Sequence, residues 1–140
     1  MSRKAKRLPP YKLPRCSGRD GRPGHEGLAE SVFRSCRAVA TYRIEWTSAT
    51  ATLRRRDYEW KLLPRHDLAC DRHLPMLLER AEHDIAFARS PYRDWSPAAV
   101  ADLTLTRLEF GLDKRARAHG NTFYLPVEMP VTGPVQFTLF

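Results

Sequence analysis

A cysteine and a histidine stand three residues apart, at Cys70 and His73, directly before a strongly patterned segment. Pro75 follows, and apolar residues then recur at spacings of three and four as far as Ala88. This spacing is typical of an amphipathic helix, and proline fits the first turn, where no hydrogen bond is lost. Residues i and i+3 at a helix start point to the same side. The sequence therefore predicts a helix over about residues 74–90, with part of a metal site at its beginning.

The segment before this pair has the pattern of a β-hairpin. From Ala38 to Trp46 the residues alternate with period two and are rich in β-branched and aromatic side chains, which is typical of a strand. We predict a turn at residues 47–49 and a return strand over residues 50–62. Residues 54–57 interrupt the alternation of that strand, which indicates a bulge or a longer hairpin tip.

Cys36 precedes the predicted hairpin, while Cys70 and His73 follow it. This is the order of a treble-clef zinc module, in which one ligand lies at a turn before a hairpin and others lie at the helix start. Zinc favours thiolate and imidazole ligands together, and a helix N-terminus helps to hold Cys70 as a thiolate. We therefore predict zinc as the cofactor, bound by Cys36, Cys70, His73 and a fourth residue.

The identity of the fourth ligand is open from the sequence. A cysteine three residues before Cys36 would complete the usual pair, but that position holds Phe33. The candidates are His25 and Cys16 near the N-terminus and His66 before the helix. We prefer His25, with Cys16 as its substitute. The alternative is a degenerate module that has lost its metal and in which the cysteines are ordinary buried residues.

Part of the chain resembles small actinobacterial zinc-binding proteins. These typically carry a cysteine pair, then a segment like Cys-x-x-x-Ala-Thr-Tyr-Arg, then Cys-Asp-Arg-His-Leu-Pro at a helix start. The matching residues here are Cys36, residues 40–43 and residues 70–75, and the resemblance covers about residues 33–85. The resemblance implies a treble-clef-like zinc-binding fold and no particular activity.

The remaining segments complete the prediction of an α+β protein. Residues 1–27 are rich in proline, glycine and charge, and we expect a basic arm that orders only against a partner. Ser96 followed by proline predicts a second helix, which we extend to about Ala118, although the spacing of Leu103, Leu105 and Phe110 also suits a strand. The predicted α+β domain thus spans residues 28–120. Residues 121–140 combine β-forming residues with prolines, so we predict an edge strand or an extended, irregular segment.

The net charge of +8 favours polyanionic partners, because clustered cations release counterions from phosphates. We predict a non-enzymatic zinc-binding module that engages nucleic acid, with no catalytic residue. The alternative is a structural or adaptor component of a larger assembly, with its tails ordered on neighbouring subunits. The residues expected to bind nucleic acid form three groups: Lys4, Lys6 and Arg7; Arg54, Arg55 and Arg56; and Arg115 and Arg117.

The aromatic residues of the predicted hairpin permit two roles. Tyr42, Trp46, Tyr58 and Trp60 alternate with arginines, so they could stack on nucleic-acid bases. We favour the other role, the core of a small hairpin packed on a helix.

The cysteine count and the lack of long apolar stretches bear on the compartment. Three cysteines in a chain with no recognisable export signal favour free thiols or metal ligands over a disulfide framework. No stretch approaches the roughly 18 apolar residues that would span a bilayer. We therefore expect a cytoplasmic protein with no membrane contact.

Overall fold

The computed structural model describes residues 6–21, 33–90 and 94–132 of the 140-residue chain. Within these ranges the chain is α+β, as predicted: a four-stranded antiparallel sheet in the order β4-β3-β5-β6, a two-stranded sheet of β1 and β2, and two helices. The elements in chain order are β1 (Arg19–Gly21), β2 (Phe33–Ser35), β3 (Tyr42–Arg54), β4 (Asp57–Ala69), α1 (Leu74–Ala88), β5 (Thr104–Leu112), α2 (Lys114–Ala118) and β6 (Tyr124–Val131).

The core lies between α1 and the four-stranded sheet. The largest fully buried side chains are Ile44 of β3 and Leu74 and Leu77 of α1. The apolar residues of α1 are buried at the predicted spacing of three and four, which confirms the first predicted helix. Neither helix of the described ranges is long and apolar enough to cross a membrane.

Strands β3 and β4 form the predicted hairpin. The turn predicted at residues 47–49 was wrong, whereas residues 54–57 form a hairpin tip, one of the two structures predicted for them. The strands pair continuously from Tyr42 with Ala69 to Arg54 with Asp57, so the chain turns at Arg55 and the residue after it. Arg55 has a φ of 54°, and the favoured two-residue hairpin loops need positive φ. Thr47, Ser48 and Ala49, at the predicted turn position, adopt extended backbone within β3 instead, because strand pairing outweighs their local preference.

The hairpin projects beyond the rest of the sheet, because β5 pairs with β3 only from Tyr42 to Glu45. Helix α1 packs beside it and buries Trp46, whose indole Nε1 donates a hydrogen bond to Asp84 Oδ2 at 3.2 Å. This placement confirms the packing role for Trp46. Tyr58, near the hairpin tip, is instead 68% exposed.

The predicted second helix is wrong over most of its length. Ser96 begins only a short 3-10 turn, Pro97–Ala99, in which its side chain accepts the N–H of Ala98. The chain then forms β5, which buries Leu105 and Leu108 and pairs on both sides, with β3 and β6. The leucine spacing suits a helix or a strand, and the two neighbouring strands decide in favour of the strand. Helical structure returns only in α2.

The described part of the predicted arm, residues 6–21, packs against the domain. Leu8 forms an antiparallel bridge with Tyr124 at the edge of β6. Cys16 is 6% exposed and belongs to the main core cluster. The expectation of an arm ordered only by a partner does not hold for these residues. Composition misled the prediction because backbone hydrogen bonds to the domain, rather than extensive apolar burial, hold the segment in place.

The C-terminal segment supplies the edge strand β6, one of the two forms predicted for it. Tyr124 and Leu8 exchange backbone hydrogen bonds of 2.8 and 2.9 Å on the outer side of β6. Alternate residues of a strand bond to the same side, so Pro126 and Pro130 also lie at outward positions. Neither proline therefore removes a hydrogen bond from the sheet, and both remove donors from its exposed edge.

Candidate metal centre

Four side chains from three separate stretches of the chain converge beside the start of α1. These are Cys16, Cys36, Cys70 and His73, whose ligand atoms all lie within 4.8 Å of one another. Cys36 is half-buried and the other three are buried. The three cysteines are free thiols, so all three sulfurs are open to coordination. The cluster is close enough to hold one metal ion.

Two of the residues are placed by the connection from β4 to α1. A short turn carries the chain from Cys70, after the last residue of β4, to His73 at the N-cap of α1. The Leu74 N–H donates to the Cys70 carbonyl at 3.0 Å, and the Leu77 N–H donates to the His73 carbonyl at 3.1 Å. The Cys70 sulfur and His73 Nδ1 lie 3.3 Å apart, as the three-residue spacing predicted.

Cys16 is placed by backbone hydrogen bonds to two distant segments. Its N–H donates to the Ala38 carbonyl at 2.9 Å, and the N–H of the next residue, Ser17, donates to the Leu68 carbonyl at 2.7 Å. The Ser17 hydroxyl accepts the Leu68 N–H in return, at 3.2 Å. These bonds bring the Cys16 sulfur to 3.5 Å from His73 Nδ1.

The backbone of Gly18 forms hydrogen bonds with two of the three cysteines of the cluster, Cys16 and Cys36. Its N–H donates to the Cys16 sulfur at 3.2 Å, and its carbonyl accepts the N–H of Cys36 at 2.8 Å. The Cys36 sulfur lies 3.9 Å from the Cys70 sulfur. A backbone donor to a sulfur stabilises the thiolate form, which is the form that binds metals.

The protein environment separates the acidities of two of the thiols. Burial raises the pKa of Cys16 to about 11. Burial acts in the same direction on Cys70, but hydrogen bonds from the backbone and side chain of His73, and from the Cys16 and Cys36 side chains, outweigh it and lower its pKa to about 7. The surroundings therefore favour the thiolate form more strongly at Cys70 than at Cys16. Coordination would deprotonate the other thiols, because a metal ion displaces the thiol proton.

The structure brings Cys36, Cys70 and His73 together, as the sequence predicted. The preferred fourth ligand, His25, lies outside the described residues. Its substitute, Cys16, completes the cluster, whereas the third candidate, His66, is exposed on β4 and is not part of it. A sequence signal for Cys16 exists in the glycine two residues later, because a small residue there lets the backbone N–H approach the sulfur.

The basic residues predicted to bind nucleic acid lie towards opposite ends of the four-stranded sheet. Beyond its pairing with β3, strand β5 continues away from the hairpin tip and leads into α2. Lys4 lies outside the described residues. The described members are placed as follows: Arg54, Arg55 and Arg56 are exposed at the hairpin tip, Arg115 and Arg117 are exposed on α2, Arg7 lines a cleft with Arg115, and Lys6 is exposed beside Arg7 in sequence.

Comparison with known proteins adds no relative: the chain matches no protein-family model, and no curated protein and no solved structure is significantly similar to it. The resemblance to small actinobacterial zinc-binding proteins therefore stays a prediction from the sequence. The geometry of the cluster and the positive charge of the chain are the features that bear on function.

Proposed function

We propose that this protein is a non-enzymatic zinc-binding module that engages nucleic acid. The cluster of Cys16, Cys36, Cys70 and His73 carries the proposal. A tetrahedral zinc ion with its usual bond lengths places two sulfurs about 3.8 Å apart, and a sulfur and a nitrogen about 3.5 Å apart. The cluster has a sulfur–sulfur distance of 3.9 Å and sulfur–nitrogen distances of 3.3 and 3.5 Å. These three pairs already lie near tetrahedral spacing, and all four ligand atoms lie within 4.8 Å of one another, so the ion would draw the more distant atoms closer together.

Two features support a structural zinc rather than a catalytic one. Four protein ligands fill a tetrahedral shell, whereas catalytic zinc keeps a position open for water or substrate. The cluster is also built into the core, because Cys16 and Cys70 belong to the same buried group as the apolar face of α1. The expected role of the ion is therefore to hold the N-terminal segment, the turn before the hairpin and the helix start together.

The order of the elements supports a treble-clef-like arrangement. Cys36 precedes the β3–β4 hairpin, and Cys70 and His73 follow it at the start of α1. In this proposal Cys16 takes the place of the second cysteine that the sequence lacks at Phe33. The first ligand pair, Cys16 and Cys36, then comes from two separate segments of the chain rather than from one tight turn that carries both cysteines.

The nucleic-acid part of the proposal is supported by charge and shape. The hairpin projects from the sheet and carries Arg54, Arg55 and Arg56 exposed at its tip. Arg54 is paired with Glu59 at 3.1 Å, a surface contact that contributes little and leaves the tip net positive. A projecting two-stranded ribbon with cationic side chains suits a nucleic-acid groove and the phosphates along it.

The zinc part is tested by metal analysis of the purified chain. We expect one zinc ion per molecule in the wild type by elemental analysis and native mass spectrometry, and a large loss in Cys70→Ser. Protein that contains no zinc, and does not take it up on addition, would remove the central argument. Binding to nucleic acid through the exposed arginines would remain possible after that result, because it does not depend on the cluster.

The nucleic-acid part is tested by the salt dependence of binding. We expect fluorescence anisotropy with a labelled oligonucleotide to show a log–log salt slope of several units, since each neutralised phosphate contributes about 0.7 to 0.9. Replacing Arg54, Arg55 and Arg56 by glutamine is expected to reduce the slope by about 2 to 3. A flat salt response in the wild type would rule out this part and leave the zinc part standing.

An adaptor role in a larger assembly is the second candidate. The observation that favours it is a cross-strand pair near the hairpin tip, Leu53 and Tyr58, which are 63% and 68% exposed. Exposed apolar residues on a projecting ribbon are a usual place for a protein partner to bind. Leu53→Ser is expected to weaken binding of a protein partner under this candidate and to leave oligonucleotide binding unchanged under the first, because leucine has no ring that stacks on a base.

A further inference from the structure

We propose that a cleft beside α2 binds a backbone phosphate of single-stranded nucleic acid. The cleft has a volume of about 370 Å³ and is lined by Arg7, Arg115, His119, Asn121 and Phe123. It lies towards the opposite end of the sheet from the hairpin tip, so it is a second contact point, separate from residues 54–56. The proposal rests on the proposed nucleic-acid function and assigns a further site to it.

The first cation of the cleft, Arg7, forms an ion pair with a buried carboxylate oxygen, Asp113 Oδ2, which accepts no hydrogen bond within the described residues. Its Nε lies 3.0 Å from Asp113 Oδ2, and the Asp113 side chain is 7% exposed. The other oxygen of Asp113 accepts the N–H groups of Arg115 and Ala116 at 3.0 and 3.2 Å. Asp113 therefore joins the N-terminal segment to the start of α2. The ion pair engages the Nε edge of the Arg7 guanidinium, and its terminal nitrogens form no bond within the described ranges.

The second cation and the histidine are free to meet a ligand. Within the described part of the chain, the side chains of Arg115 and His119 form no hydrogen bond or ion pair, and both are exposed. They stand four residues apart, a spacing that puts both on one face of a helical turn. Gly120, with a φ of 81°, then reverses the chain so that Asn121 lies near the cleft.

The charge and shape of the cleft point to a phosphate with a base attached. Two arginines line the cleft and one carboxylate, Asp113, pairs with Arg7, so the cleft keeps a net positive charge. Arginine suits phosphate because its planar fork donates two parallel hydrogen bonds. Phe123 is half-buried and adds an apolar aromatic wall, and stacking on such a ring is how single-strand binders hold a base without sequence preference.

The test compares two single charge removals on α2 of the zinc-loaded full chain. Arg115→Gln removes a cleft cation, and Lys114→Gln removes an equal charge from an exposed neighbour that does not line the cleft. With an oligothymidylate of about eight nucleotides, we expect Arg115→Gln to weaken binding about tenfold and to lower the salt slope by about 1. Lys114→Gln is expected to weaken binding less than about twofold. Circular dichroism checks that both variants fold.

A ligand titration followed by amide NMR locates the contact. We expect the amides of Arg115, His119 and Asn121 to shift on addition of the oligomer, and to shift in the same direction with inorganic phosphate at higher concentration. Shifts with inorganic phosphate but none with the oligomer would overturn the assignment to a nucleic-acid strand.

The remaining outcomes separate this proposal from the proposed function. Equal losses in Arg115→Gln and Lys114→Gln would mean that α2 contributes only diffuse charge, which overturns the cleft and leaves the function standing. If oligomer binding is lost on substitution of residues 54–56 and is unchanged in Arg115→Gln, the cleft is likewise overturned and the proposed function stands. A wild-type chain that binds no oligomer would overturn both proposals.

Discussion

The backbone of Gly18 lies directly against the imidazole of His73. A Cβ placed at position 18 would stand 2.4 Å from His73 Cγ and 2.8 Å from its Nδ1, distances that real Cβ atoms essentially never show. The same glycine donates its N–H to the Cys16 sulfur. The metal centre is therefore assembled around a backbone that has no room for a side chain, and the ring of one ligand and the sulfur of another depend on it.

Gly18→Ala is expected to disturb the centre without removing a ligand. The added methyl group must displace the His73 ring or the backbone, and overpacking of this kind typically costs about 1 to 3 kcal/mol of unfolding free energy. We expect zinc affinity, measured by competition with a chelator, to fall by about 10- to 100-fold, as it does when groups that orient ligands are changed. Denaturant unfolding measures the loss of stability.

Gly111→Ala is the matched control for this substitution. The nearest atom to a Cβ at that position is the Leu125 carbonyl oxygen at 3.9 Å, an ordinary contact. We expect unchanged zinc affinity in this variant. Equal effects at Gly18 and Gly111 would contradict the role assigned to the Gly18–His73 contact.

If Cys16 and not His25 is the fourth zinc ligand, substitutions at the two positions should affect zinc affinity differently. We expect Cys16→Ser to lower zinc affinity by more than about 100-fold, because the loss of a direct ligand exceeds the usual effect of changing an orienting group. His25→Ala is expected to leave zinc affinity unchanged. Competition with a chromophoric chelator measures both. The reverse pattern would mean that His25 binds the ion and that Cys16 is only a neighbour.

Removal of the metal is expected to release the N-terminal segment before the rest of the fold. Metal binding and folding are coupled where the ligands come from separate segments. We therefore expect a chelator to speed hydrogen exchange at the amides of Cys16 and Ser17, which bond to the Ala38 and Leu68 carbonyls. The Leu108 amide, which donates to the Thr41 carbonyl, serves as the internal control. Faster exchange at all three amides would indicate global unfolding and contradict this order.

An ion pair between Arg43 of β3 and Glu128 of β6, the two strands on either side of β5, predicts a contribution to stability that does not change between pH 5.5 and pH 7.5. The Arg43 guanidinium donates to both carboxylate oxygens of Glu128, and this bonding lowers the pKa of Glu128 below its usual value. A lowered carboxylate pKa stabilises the fold above the unfolded value of about 4.3, and the contribution is lost as pH falls through the lower folded value. The pair is partly exposed, so its contribution is at most about 1 kcal/mol.

Glu128→Gln measures that contribution directly. We expect the difference in unfolding free energy between this variant and the wild type to be the same at pH 7.5 and pH 5.5. Both values lie above the range in which Glu128 takes up a proton. Glu109→Gln, at an exposed carboxylate that meets Arg107 at 3.4 Å, is the control for a simple change of charge. A difference that shrinks within this window would contradict the assigned pair.

Much of the centre of the fold could be predicted from local patterns. The amphipathic spacing predicted α1. The three-residue spacing of Cys70 and His73 predicted that both side chains point to the same side of the helix start. The alternation before Cys70 predicted a hairpin, although it placed the turn too early. The run of leucines near Leu105 shows the limit of such patterns, because its spacing fits two periods and the segment became β5 only by pairing with strands on both sides.

The sequence by itself determined the features that depend on near neighbours: helix α1, the presence of a hairpin, the Cys70–His73 pair and the excess of positive charge. The charge follows from composition. The other three follow from the spacing of side chains within short segments of the chain. Only the tertiary structure decided the hairpin turn, the strand β5 and the entry of Cys16 into the cluster. The pairing of β3 with β4 along their whole length decides the turn. The other two depend on hydrogen bonds between segments far apart in the chain, as between Cys16 and Ala38, and no local spacing encodes such a bond.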